Sequence, residues 1–117
     1  MLNENQREEI AEKILDYTIC DEEYGCVKKE KDGKYSKYGG GLVYLVDFRT
    51  NVNFQENLKD YIKFELDYIT DVKIVEIDRE YMKLEIYTEY GTAPERIVLS
   101  VDDEEYNYLI VEWEEEE

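Results

Sequence analysis

The nine residues Tyr81-Met82-Lys83-Leu84-Glu85-Ile86-Tyr87-Thr88-Glu89 alternate strictly along the chain. Side chains on a β-strand point to opposite faces with period two. Met82, Leu84 and Ile86 therefore share one face, and Lys83, Glu85, Tyr87 and Glu89 share the other. One face seeks a core while the other carries charge and phenol. The rest of the C-terminal half repeats this design from Asp71 to Glu117, as short strands separated by acidic turns.

Val72-Lys73-Ile74-Val75-Glu76-Ile77 reads as the strand before, and Asp78-Arg79-Glu80 as the turn between them. After a loop around the only proline, Pro94, the residues Ile97, Leu99 and Val101 line one face of a third strand. Asp102-Asp103-Glu104-Glu105 makes the next turn. Tyr106 to Trp113 is the last strand, with Leu109, Val111 and Trp113 inward, and the acids 114–117 read as a frayed tail.

Upstream, a helix is expected from Glu4 to Tyr17. Asn5 with Glu8 fits a capping box, and Asn3 with Gln6 is an alternative start. Ile10, Ile14 and Tyr17 fall at helical spacing, with Ala11 and Leu15 widening the stripe, and Glu8, Glu12 and Asp16 repeat on the outer face. Like charges at that spacing cost a few tenths of a kcal/mol per pair.

A hairpin is expected between Tyr24 and Tyr38, turning at Asp32-Gly33. Lys28, Lys29, Lys31, Lys34 and Lys37 in it suit an edge strand, where lysine discourages pairing between chains. The same basic patch could instead orient the protein against a partner. Gly39-Gly40-Gly41 leads into the strand-like Leu42–Arg49 run and lacks the Gly-Lys-Ser/Thr and helix of a phosphate loop. A second helix is expected from Asn53, with Glu56 as capping partner and Phe54, Leu58, Tyr61, Ile62 and Ile69 as its apolar stripe, Leu66 at the margin. The order helix, two or three strands, helix, four strands predicts a single α+β domain over 1–117. Its two helices pack on one face of a largely antiparallel sheet of about five to seven strands.

Chemistry is conspicuous by what is missing. The chain has no histidine, so the usual general base and the usual triad are absent. Ser36 and Ser100 lie in no nucleophile motif, and no pair of carboxylates is singled out. The run at 102–105 lacks the alternating ligands and the glycine of a calcium loop. Cys20 and Cys26 are too few for a structural zinc site and are expected reduced, with a local disulfide as the alternative. No catalytic residue, metal or cofactor is expected.

Membrane insertion is not expected either. The longest apolar run, Leu42–Val46, falls far short of the ~20 residues a spanning helix needs. No basic n-region or apolar h-region opens the sequence, so a cytoplasmic location is expected.

What remains is charge. The chain has 31 acidic and 14 basic residues, a net of −17, well beyond the roughly 2–8 units that suit a small soluble domain. Residues 50–117 alone hold 20 acids and 6 bases. Such a surface repels free nucleic acid and anionic membranes and attracts basic proteins. The expected contact surface combines Glu76, Asp78, Glu80, Glu85, Tyr87, Glu89, Asp102, Asp103, Glu104, Glu105 and Glu112. Alternate side chains on a strand sit about 6.7 Å apart and strands about 4.8 Å apart, a spacing comparable to that of nucleic-acid charge.

In size, acidity and abundance of Asp, Glu and Tyr, the chain resembles the small acidic inhibitors that imitate DNA, many anti-CRISPR proteins among them. The resemblance is of type, without a shared motif, and no residue role is carried over. It implies blockade of a basic nucleic-acid-binding protein, such as a CRISPR effector nuclease, at the groove that reads DNA. The alternative is an acidic protein-interaction or toxin-immunity domain without mimicry. Pairing of two copies through a sheet edge is open to either.

Overall fold

Asn3 and Gln6 start the first helix reciprocally in the computed structural model of the chain. The Asn3 amide donates to Gln6 Oε1 at 2.9 Å, and the Gln6 amide donates to Asn3 Oδ1 at 2.8 Å. Two of the orphan amides of a helix start are thereby satisfied. The Asn5–Glu8 box is thus not the one used. Helix α1 spans Glu4–Thr18. Residues 2–18, 27–30, 33–38, 52–78, 81–91, 93–101 and 108–114 are described by the structure.

The remaining elements are β1 (Lys28–Lys29), β2 (Lys34–Tyr38), α2 (Val52–Glu65), β3 (Ile69–Ile77), β4 (Tyr81–Thr88), β5 (Glu95–Val101) and β6 (Tyr108–Trp113). The strands form one antiparallel sheet in the order β1-β2-β6-β5-β4-β3. This is the expected α+β architecture, with six strands among the described residues. The strand expected over Leu42–Arg49, Cys20 and Cys26 lie outside them.

Alternation explains the core. Along β4, Met82, Leu84 and Ile86 are fully buried, and Thr88 nearly so, while each intervening residue stays half-exposed. In register beside them come Ile97, Leu99 and Val101 of β5, then Leu109, Val111 and Trp113 of β6, and Tyr35 of β2. Ile10, Ala11, Ile14 and Leu15 of α1 and Leu58 and Ile62 of α2 complete the core. Helix α1 lies against β2 and β6, and α2 against β3. At about 2 kcal/mol for each fully buried aliphatic side chain, this layer supplies most of the driving force for folding.

Three boundaries differ from expectation. Asn53 lies inside α2 rather than capping it, because Val52 is already helical, and Glu56 pairs with Lys59 at 3.4 Å instead. Helix α2 stops at Glu65, so Ile69 opens β3 rather than extending the helical stripe. A turn makes that switch: the Leu66 amide reaches Ile62 O at 3.2 Å, and the Ile69 amide reaches Leu66 O at 3.0 Å. Third, β4 ends at Thr88, leaving Glu89 in the following turn, where its amide donates to Tyr68 O at 3.0 Å. The expected start of the last strand at Tyr106 lies outside the described residues, and β6 runs from Tyr108 within them.

The lysine-rich hairpin forms, with β1 against β2 and Gly33 at φ +74° in the turn. Glycine adopts that angle without the steric cost a Cβ brings. Among the described residues Lys28 and Lys29 sit on the sheet edge. Lys37 does not: it points under α1, only 5% exposed, and donates to Asp16 Oδ1 at 2.8 Å. No helix among the described residues is long and apolar enough to cross a membrane.

Candidate protein-binding surface

The helix-free face of the sheet carries the residues that alternate with the core. Register sets Lys34 opposite Glu112, Glu85 opposite Arg96, and Glu76 opposite Lys83. Each opposed pair closes into an ion pair. Arg96 Nε donates to Glu85 Oε2 at 3.1 Å, Lys83 Nζ lies 3.6 Å from Glu76, and Lys34 Nζ lies 3.9 Å from Glu112. Lys83 also reaches Glu114 at 3.3 Å, and hydrogen bonding to Glu114 raises its pKa above the ordinary lysine value. Exposed pairs of this kind contribute little stability each, but they cancel charge locally.

The phenols are built into the same lattice. Tyr87 donates its hydroxyl to Glu85 Oε1 at 3.1 Å, and Lys73 lies over its ring at 5.0 Å. Tyr38 and Tyr108 are register partners that meet edge to face at 5.3 Å. Lys83 sits 5.9 Å from the Tyr81 ring, and desolvation followed by Glu76 and Asp78 pushes the Tyr81 hydroxyl up.

Of the expected contact residues, Glu76, Glu85, Tyr87 and Glu112 fall together on this face, on β3, β4 and β6. Glu89 lies at the far end of β4, away from Asp78 at the near end of β3. Glu80, Asp102, Asp103, Glu104 and Glu105 lie outside the described residues.

Topology nevertheless relates their attachment points. Ile77, Tyr81, Val101 and Tyr108 all lie at one end of the sheet, because β3-β4 and β5-β6 are consecutive antiparallel pairs. The sequence joining them, 78–80 and 102–107, contains six acids and one base. Four neighbouring strands span about 14 Å at the usual spacing. Tyr38, Tyr81 and Tyr108 rim that same end on the open face.

Charge is therefore segregated. The described residues hold 18 acids and 11 bases, whereas the remaining residues hold 13 acids and 3 bases. The sheet face is close to balanced, and the net of −10 outside the described residues, three charges of it from Glu115 to Glu117, exceeds the net of −7 within them. The alternation signal located the face but not its neutrality, since cross-strand pairing depends on register.

A second acidic row lies on α1. Partial burial, then the carboxylates of Glu8, Asp16 and Glu9, raise the pKa of Glu12. Its neighbours are partly engaged: Tyr68 donates its hydroxyl to Glu9 Oε1 at 2.7 Å, and Lys29 pairs with Glu4. Among the described residues no cluster of three or more Cys, Asp or Glu is placed to hold a metal ion.

Comparison with known protein families, curated proteins and solved structures gives no match.

Proposed function

We propose that this protein binds a basic protein partner through the acidic end of its sheet, and that the surface it covers is one that otherwise holds nucleic acid. The observation that carries the reading is the convergence of the strand ends Ile77, Tyr81, Val101 and Tyr108, which attach both acidic connecting segments to one end of the domain. A partner's lysine and arginine side chains meet there a field that the balanced open face does not supply. Tyr38, 40% exposed, offers a ring on which a guanidinium can stack.

In this reading Glu85 and Glu112 are structural charges held by Arg96 and Lys34. Asp78, Glu80 and Asp102 to Glu105 provide the contact. The resemblance to anti-CRISPR-type inhibitors supplies the class of target: a nuclease or other effector with a nucleic-acid groove. The acids act by long-range steering and by occupying the groove, as electrostatic complementarity raises association rate and selects partner sign.

Capture of binding proteins on the immobilised domain, at about 0.1 M and about 1 M salt, tests this, because the Debye length falls from ~10 Å to ~3 Å over that range. Recovery of nucleic-acid-binding proteins that are displaced by added DNA and by salt is expected. A single partner that resists salt and ignores DNA would instead identify an acidic interaction or immunity domain without mimicry.

A further inference from the structure

Of the bases among the described residues, all but one have an acid or an aromatic ring against them. The exception is Lys28, exposed on β1 in a chain of net charge −17. Lys28 is the register partner of Ser36, and Ser36 of Ile110. The three stand in one row on the helix-free face, with Lys34 two residues from Ser36 along β2. Serine is the shortest side chain of this group, so the face dips there. Lys28, Glu30, Lys34, Ser36, Tyr108 and Ile110 line a depression of about 220 Å³. Ser36, 5% exposed, lies at its floor and donates its hydroxyl to Glu30 Oε1 at 2.9 Å.

We infer that this depression binds a small zwitterion, an α-amino acid with an aliphatic side chain. Sites for drug-sized ligands run from about 300 to about 1,000 Å³, so this one takes a smaller molecule. Its lining offers three kinds of contact. The ammoniums of Lys28 and Lys34 receive the ligand's carboxylate, Lys28 unmatched and Lys34 shared with Glu112 at 3.9 Å. Glu30 receives the ligand's ammonium: Ser36 engages one of its oxygens, and the other is left to accept a charge-assisted hydrogen bond. Ile110 and the Tyr108 ring cover the aliphatic side chain.

A free anion fits the depression less well. The field of the whole molecule repels it, and Glu30 stands beside the lysines that would hold it. A lone cation would leave Lys28 as unmatched as before. A zwitterion carries no net charge and answers both signs. The site does not depend on a partner at the acidic end of the sheet, although Tyr108 borders both.

The probe is L-leucine, titrated into isotope-labelled protein beside 4-methylpentanoate, which lacks the amine, and 3-methylbutylamine, which lacks the carboxylate. Leucine is expected to give saturable amide shifts centred on residues 28–30, 34–36 and 108–110, with each fragment at least tenfold weaker. Lys28→Gln should weaken leucine at least fivefold and leave the amine unchanged. Glu30→Gln should weaken leucine similarly and leave 4-methylpentanoate unchanged or tighter. Both side chains are exposed, so neither change threatens the fold. Shifts that stay linear to the solubility limit of leucine overturn the site. Binding of 4-methylpentanoate as tight as that of leucine overturns the zwitterion in favour of a simple anion site. Leucine binding that neither variant alters overturns the placement in this depression.

Discussion

Lys37 on β2 reaches across the core boundary to Asp16 on α1, its ammonium 2.8 Å from the carboxylate, with the lysine 5% and the aspartate 52% exposed. The pair fastens the first helix to the sheet from beneath. Removing the acid leaves a buried ammonium without this carboxylate, whereas removing the base leaves an acid that water can reach. Asp16→Ala is expected to lower stability by about 1–2 kcal/mol, less than for a fully buried pair because Asp16 is screened by solvent. Lys37→Met is expected to be neutral or stabilising. Urea denaturation of both variants checks the asymmetry, and equal losses would contradict it.

Asn3 accepts from the Gln6 amide and starts α1. Asn3→Ala is expected to cost about 1 kcal/mol, as cap removals typically do. Asn5→Ala, two residues too late to cap, should cost no more than a few tenths. Thermal melts of the two variants distinguish them, and a larger loss at Asn5 would return the cap to the Asn5–Glu8 box.

Glu12 titrates above the usual carboxylate range, from partial burial first and then from Glu8, Asp16 and Glu9. A raised carboxylate binds its proton more tightly in the folded state. It therefore favours folding at low pH and withdraws that support as pH rises through the carboxylate range. Glu12→Gln should stabilise the protein at pH 7 by a few tenths of a kcal/mol, and the gain should vanish below the unfolded-state pKa. Stability measured across pH 3–7 reads this directly, and a gain independent of pH would remove the electrostatic cause.

Neutralising Asp78, Glu80, Asp102, Asp103, Glu104 and Glu105 to their amides takes the formal net charge from −17 to about −11. Self-repulsion falls, so the melting temperature should hold or rise. Partner capture should be lost. Neutralising Glu85 and Glu112, which are matched by Arg96 and Lys34, should leave capture intact. Retained binding in the first variant would move the contact surface elsewhere.

Alternation made much of the sheet legible. Met82, Leu84, Ile86, Ile97, Leu99, Val101, Leu109, Val111 and Trp113 are inward residues of three adjacent strands, because period two needs no knowledge of partners. Choosing between two capping boxes did not follow from local pattern, since both satisfy it. Leu2 bears on that choice: it is 5% exposed, and its amide donates to Glu95 Oε1 at 3.0 Å, fixing the chain ahead of Asn3 against β5. The same limit hid the pairing of Glu85 with Arg96 and of Glu76 with Lys83. Those pairs exist only once register is set, so acids that read as displayed are in fact matched. Lys37 was read as an edge lysine because nothing near it in sequence announces that β6 will pair on its far side.

That placement of β2 also governs when the domain can assemble. Its register partners on β6, from Lys34↔Glu112 to Tyr38↔Tyr108, are seventy or more residues away along the chain. As the polypeptide leaves the ribosome, β3, β4 and β5 can form hairpins from near neighbours, but the β1–β2 ribbon has no seat until residues 108–113 emerge. Contacts that close such long loops slow folding. The nascent chain therefore waits with an unclosed sheet, and Val111, opposite Tyr35, belongs to the strand whose arrival joins its two parts.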